Sequence, residues 1–298
     1  MTVPAPSARP APEDLVGRLL QLLDLEEIDT DLYRGARLPE GRGRVFGGQV
    51  IAQALRAAMR SIDGGRIAHS LHAYFLRAGD DALPIVYRVE RDFDGKSFAN
   101  RRVIALQRGQ PILNMAASFQ TPEGGMSHQG QMPEVPAPET LASEAELLRL
   151  EREATGGPEP IWFSRPQPIE IRPVEARPMF SPDKREPRFA SWFRVVAPVG
   201  DDPDVHRAIL AYASDMRLLA TSMLPHGVSW ATPGMQTASL DHALWIHQEA
   251  RTDDWLLFAT DSPWSGHARG FNRGQIFSRD GRLVASIAQE GLIRRRPG

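Results

Sequence analysis

Along residues 47–62 apolar side chains return every third or fourth position, at Val50, Ile51, Ala54, Leu55, Ala58, Met59 and Ile62. That spacing winds them onto one face of an α-helix, and Gly47-Gly48 marks its start. The period then changes. Residues 69–77, 84–93, 97–107 and 111–120 read as strands, divided by turn signals at Asp94-Gly95 and Arg108-Gly109. A long helix followed by a meander of strands is an α+β arrangement in which a sheet covers the helix.

Residues 121–160 break the pattern with Pro, Gly and Gln, apart from a Glu- and Leu-rich helical stretch at 139–156. The first pattern then returns. Residues 202–224 read as one helix with Val205, Ile209, Ala213, Met216, Ala220 and Met223 on one face, capped by Asp202 or Asp204. Strands follow at 237–248, 255–263, 267–279 and 283–293, with Asp280-Gly281 as a hairpin signal. The halves align at an offset near 170: residues 70–75 lie against 239–245 with one slip, and Ser118 falls opposite Gln289. A single repeat of this length is a duplicated domain and not a solenoid. The organisation expected is a flexible tail (1–13), a first repeat (14–122), a linker holding a helix (123–160) and a second repeat (161–298).

Composition narrows the function. A net charge of −2 gives no basic field for nucleic acid or an anionic membrane. No run approaches the roughly 18 apolar residues of a membrane span. With no Cys, disulfides, thiolate metal sites and a cysteine nucleophile are excluded together. The tail lacks the apolar run of a signal peptide and the RRRPG end carries no organelle address, so a soluble cytoplasmic protein is expected. There is no G-x-S-x-G, H-E-x-x-H or P-loop. Residues 125–130 are one residue too long for a nucleophile elbow. Residues 41–47 resemble a dinucleotide loop only faintly, since no apolar strand precedes them.

Chemistry enters where the repeats differ. The interior of the first helix has no carboxylate, whereas the second carries Asp215 near its centre, at the border of the apolar arc. On its own Asp215 reads more simply as a surface carboxylate. Ser239, at the head of a strand, and Gln289, among apolar neighbours in the last strand, stand with it as polar groups able to converge on one water. Gly47 and Gly48 open the first helix with no side chain to block a ligand, or equally serve tight helix–sheet packing. His72 reads as a strand histidine or a substrate contact. His242 and His247, five apart on a strand, point to opposite faces and make a poor metal pair.

At these residues the chain resembles the acyl-CoA thioesterase II, or TesB-like double-hotdog, family. The matching words are residues 45–50, 69–79, 91–98, 212–215, 239–245 and 284–291, in order in both halves. The resemblance implies a tandem hotdog fold, each long helix wrapped by an antiparallel sheet. It also implies hydrolysis of acyl-CoA, of medium to long chain, with neither a covalent intermediate nor a cofactor or metal. Asp, Ser or Thr, and Gln of the family's site carry over onto Asp215, Ser239 and Gln289, with Gly47, Gly48 and His72 as candidate substrate contacts. Arg77, Arg101 and Arg102 are candidates for the CoA phosphates. Homo-oligomers, dimeric or tetrameric, are expected from sheet edges and apolar strands. The rival readings are a non-catalytic acyl-CoA or lipid-binding module and an acyl-CoA hydratase. The hydratase needs a His five residues after its Asp, where this chain has Ala220.

Overall fold

The computed structural model describes residues 10–37, 43–156, 166–176 and 182–296. The first nine residues of the expected tail, the start of the faint dinucleotide-like loop and the junction between linker and second repeat lie outside the described residues. Helix α1 (Pro12–Leu23) takes up the end of that tail. Pro12 stands in its first turn, where a missing N–H is harmless, and Val16, Leu19 and Leu23 are buried. A short hairpin of β1 (Leu25–Asp29) and β2 (Leu32–Gly35) leads to α2 (Gly47–Arg60). Strands β3 (Ile67–Phe75), β4 (Ile85–Asp94), β5 (Phe98–Gln107) and β6 (Gln110–Gln120) complete the first half. After α3 (Glu144–Thr155) come β7 (Ile169–Pro173), β8 (Arg188–Val195), α4 (Pro203–Ser214) and a 3₁₀ helix (Leu218–His226). Strands β9 (Met235–Ser239), β10 (Asp241–Ile246), β11 (Leu256–Gly266), β12 (Arg269–Ser278) and β13 (Leu283–Arg295) close the chain.

The strands form one sheet in the order β1-β2-β4-β5-β6-β3-β10-β13-β12-β11-β8-β7, with β9 also on β13. The antiparallel pair β3–β10, with Leu71 opposite Leu244, joins the halves. Ile51 and Leu55 of α2, Ile209 of α4, and Leu71, Leu113 and Leu244 of the sheet share one core, so both helices lie on the same face. On the other face His72, Tyr74 and Trp245 are exposed.

The register fixes how the halves correspond. A bulge falls between Ala105 and Leu106 of β5 opposite β6, and again between Ile276 and Phe277 of β12 opposite β13. Ala68 pairs with Phe119 as Ser239 pairs with Gly291. Bulges act as register marks. They align Ala68 with Ser239, Leu71 with His242, Arg101 with Asn272 and Ala117 with Gln289. The sequence alignment was therefore off by one or two positions. Gln289 answers to Ala117, not Ser118, whose hydroxyl bonds His69 Nε2 at 2.9 Å.

Two elements depart from expectation, and both departures build the site. The helix expected over 202–224 stops at Ser214, with Asp215 as its C-cap and Arg217 in the left-handed region at φ 65°. Ala208, Ile209, Leu218, Ala220 and Met223 are buried on both sides of the break, so apolar spacing runs straight through it. The strand expected over 237–248 is split at Leu240, where the first repeat carries its own irregularity between Ala68 and Ser70.

Up to Gly156, the last described residue before the second half, the expected linker lies as a strap on that half. Trp192 Nε1 donates to Pro136 O at 2.9 Å, Arg172 donates to Pro138 O at 2.8 Å, and Arg217 pairs with Glu144 of α3 at 2.6 Å. Among the described residues no helix is long and apolar enough to cross a membrane.

Candidate active site

Asp215 sits where two helices meet. It caps the C-terminus of α4, and its carboxylate accepts the Gly48 N–H in the first turn of α2. Its own helix presents the negative end of a dipole to it, while α2 presents the positive end. Gly47 makes the approach possible: a β-carbon there would lie 2.7 Å from Asp215 Oδ2 and 3.0 Å from the Phe75 ring. A β-carbon on Gly48 would strike the Tyr212 carbonyl and the Phe46 ring. Packing of α2 against the end of α4 thus requires a glycine at 48, while at 47 a side chain would displace the carboxylate and Phe75, and Gly48 N–H is turned toward the carboxylate.

The sheet brings up the partners. Pleating turns Ile287, Gln289 and Gly291 of β13 toward the helices. Fully buried Gln289 places Nε2 2.5 Å from Asp215 Oδ1. The same nitrogen lies 3.2 Å from Ser239 Oγ, and Ser239 Oγ donates to Asp215 Oδ1 at 3.3 Å. So Asp215, Ser239 and Gln289, far apart in sequence, share one contact. Asp215 keeps some access to solvent, yet the protein packed around it pushes its pKa up to about 6; the hydrogen bonds from Gln289, Ser239 and Gly48 oppose that rise.

Beneath them lies a residue that sequence reasoning considered only as a metal ligand. His242, 1% exposed, has Nδ1 3.1 Å from Gln289 Nε2 and Nε2 2.9 Å from Ser214 Oγ. Ser214 Oγ donates to Ala211 O at 2.9 Å. Burial alone pushes the imidazole down to about 3, so it is neutral at any ordinary pH. The inward signal was present in the alternation of β10, where His242 and Leu244 face the core.

Other candidates fall elsewhere. His72 projects from the outer face of β3, edge-on to Trp245 with ring centroids 5.0 Å apart, while its neighbours Leu71 and Ala73 face the helices. That placement lends no support to a substrate contact. Arg101 is not available to phosphate: it is 1% exposed and donates to Ser61 Oγ at 2.9 Å, to Asp94 at 2.7 Å and to the carbonyls of Phe93, Asn100 and Ser61. Arg102 pairs with Glu90 and Asp92, and Arg77 donates to Pro111 O. His206, inside α4, is held by Thr252 and Gly200 O. Among the described residues no group of His, Asp and Glu is placed to hold a metal ion.

A buried-side carboxylate of raised pKa, tied to a hydroxyl and an amide, can accept a proton from a water it holds. Residues 161–292 match the family model described as acyl-CoA thioesterase, and residues 36–120 that described as acyl-CoA thioesterase N-terminal domain. The chain is 40% identical over 283 residues to "Acyl-CoA thioesterase 2" of Haemophilus influenzae, covering 94% of this chain and 98% of that one. The solved acyl-CoA thioesterase II TesB2 from Mycobacterium marinum superposes with a TM-score of 0.76 at 39% identity, over 93% of this chain and 98% of that one. A hotdog-fold protein of unknown function from Alicyclobacillus acidocaldarius, 18% identical, shares the fold with a TM-score of 0.74 over 93% of this chain and 98% of that one.

Proposed function

The chain belongs to the acyl-CoA thioesterase family, and on that premise we propose that it hydrolyses medium- to long-chain fatty acyl-CoA with a water activated by Asp215. The observation that carries this reading is the convergence on Asp215 Oδ1, which takes hydrogen bonds from Gln289 and Ser239 at the positive end of α2. A thioester carbonyl is electrophilic and its thiolate leaves readily, so one base and one well-held water suffice. Asp215 removes a proton as the water oxygen bonds to the carbonyl carbon. The oxyanion forms beside the first turn of α2, whose partial positive charge favours it. Collapse breaks the C–S bond, and the proton on Asp215 passes to the departing CoA sulfur. Ser239 and Gln289 hold the carboxylate and water in line and form no covalent bond to the acyl group. Phe46 and Phe75 crowd the same helix end, which suits an acyl chain.

The test is thiol release from acyl-CoAs of graded length. Asp215→Asn and Gln289→Ala should each lose at least about 100-fold in kcat while staying folded, since general-base catalysis is worth roughly 10²–10⁴-fold. Because the base must be ionised, wild-type kcat/KM should fall as pH drops through about 6. A fully active Asp215→Asn enzyme would sink the assignment. Binding without turnover at every chain length would mark a lipid-binding module instead.

A further inference from the structure

A primary amide has nearly the same shape with its oxygen and nitrogen exchanged, so something must decide which end of Gln289 faces the reaction. The protein around it supplies a chain of one-way hydrogen bonds. Ser214 has a single hydroxyl hydrogen, and Ala211 O in the last turn of α4, which can only accept, stands 2.9 Å away to take it. Ser214 Oγ, 2.9 Å from His242 Nε2, is left to accept, so that ring nitrogen carries the proton. A neutral imidazole has one donor and one acceptor. Nδ1 is therefore the acceptor, and the group 3.1 Å from it on Gln289 must be the NH₂. The same NH₂ serves Asp215 Oδ1. Exchanging the amide ends would press Oε1 against the carboxylate and the bare Nδ1 with no hydrogen between them. Held this way, Gln289 Oε1 is buried and without a hydrogen-bond partner among the described residues, although a buried amide oxygen ordinarily has one.

We propose that His242 and Ser214 are positioning residues which fix the polarity of the Gln289 amide, so that Oε1 accepts one hydrogen of the attacking water while Asp215 takes the other. The inference rests on the water-activation reading and extends it to two residues that do not touch the reacting atoms. The network contains one other ionisable group, Asp215; the neighbouring Asp241 turns its carboxylate to the Glu290 N–H at 2.6 Å. Burial keeps His242 neutral, so the arrangement holds across the pH range of catalysis. The first repeat shows what the fold does without it. Leu71 and Ala117 occupy the positions of His242 and Gln289, and both are buried.

His242→Leu therefore installs a side chain that the equivalent strand position already accepts. Steady-state kinetics over pH, with Asp215→Asn measured alongside, tests the proposal. His242→Leu should fold and keep KM within about twofold, while kcat falls at least about tenfold because the water loses its alignment. The acid limb of its kcat/KM profile should move upward, since a freely turning Gln289 no longer keeps its N–H on Asp215, a bond that lowers the carboxylate's pKa. His242→Asn, which restores an acceptor near the Nδ1 position, should recover part of kcat. Ser214→Ala should show a smaller loss with the same upward movement, and it decides the matter if the leucine variant is unstable. Wild-type kcat and an unmoved limb in the folded variants overturn the proposal. If Asp215→Asn is then still inactive, the water-activation reading survives that loss; if Asp215→Asn is active, that reading fails as well.

Discussion

At the scale of a residue, Asp215, the base proposed above, is held in its place at the expense of stability. Its pKa rises from the ordinary carboxylate range to about 6 in the folded protein, mainly through burial. Between those values the folded state binds more protons than the unfolded one, so this group's contribution to stability declines as pH rises toward 6 and stays unfavourable above it. Asp215→Asn keeps the shape and removes the charge. The variant should therefore melt above wild type at pH 8, and the gap should shrink as pH falls through about 6 toward 4. Thermal denaturation of the two proteins at matched pH reads this directly, and a variant less stable than wild type at pH 8 would contradict it. His242 acts in the opposite sense, losing stability as pH falls below the ordinary histidine value toward 3, but it is present in both proteins and cancels in the comparison. None of this is visible in a string of letters. Asp215 alone looked like a surface carboxylate, because the α2 turn, β9 and β13 that enclose it come from distant parts of the chain.

At the scale of an element, the break after Ser214 is what turns the carboxylate toward α2. Hydrophobic spacing cannot report such a break, since the 3₁₀ segment beyond it is as buried as the helix before it. The glycines that receive Asp215 were legible as a helix start but not as a choice between packing and binding. The geometry separates their effects. In Gly47→Ala the new methyl meets a carboxylate oxygen and the edge of Phe75, both side-chain atoms able to shift, so the protein should fold while kcat drops at least about tenfold through displaced Asp215. In Gly48→Ala the methyl meets the Tyr212 backbone carbonyl, which cannot yield without moving α4. That overpacking should cost about 1–3 kcal/mol. Melting temperature and kcat measured on both variants should rank them oppositely, Gly48→Ala losing more stability and Gly47→Ala losing activity with little change in melting. Equal destabilisation by the two would remove the distinction.

At the scale of the molecule, the two frames of the double fold carry different side chains, and the site proposed above lies on the second. Periodicity and turn signals were enough to reveal the two frames, because a helix and a meander recur whatever their side chains do. They were not enough to align them, and a slip of one or two positions pairs Gln289 with a serine and hides the contrast. The register gives the real pairs: Ala68, Leu71 and Ala117 stand where Ser239, His242 and Gln289 stand. Position 101, the counterpart of Asn272, carries an arginine whose guanidinium closes over Ser61, the C-cap of α2, with all its donors spent on protein acceptors. The first repeat thus has an apolar wall and a plugged helix end where the second brings together a carboxylate, a hydroxyl and an amide. A non-hydrolysable acyl-CoA thioether titrated calorimetrically into Asp215→Asn should bind with one ligand per chain. Arg101→Ala, although destabilised by the loss of a buried, fully bonded guanidinium, should bind no second ligand, because removing the plug leaves Leu71 and Ala117 with no polar group to hold a thioester. Two equivalents per chain in either protein would mean that the first repeat keeps a working site of a kind the pairs above do not provide.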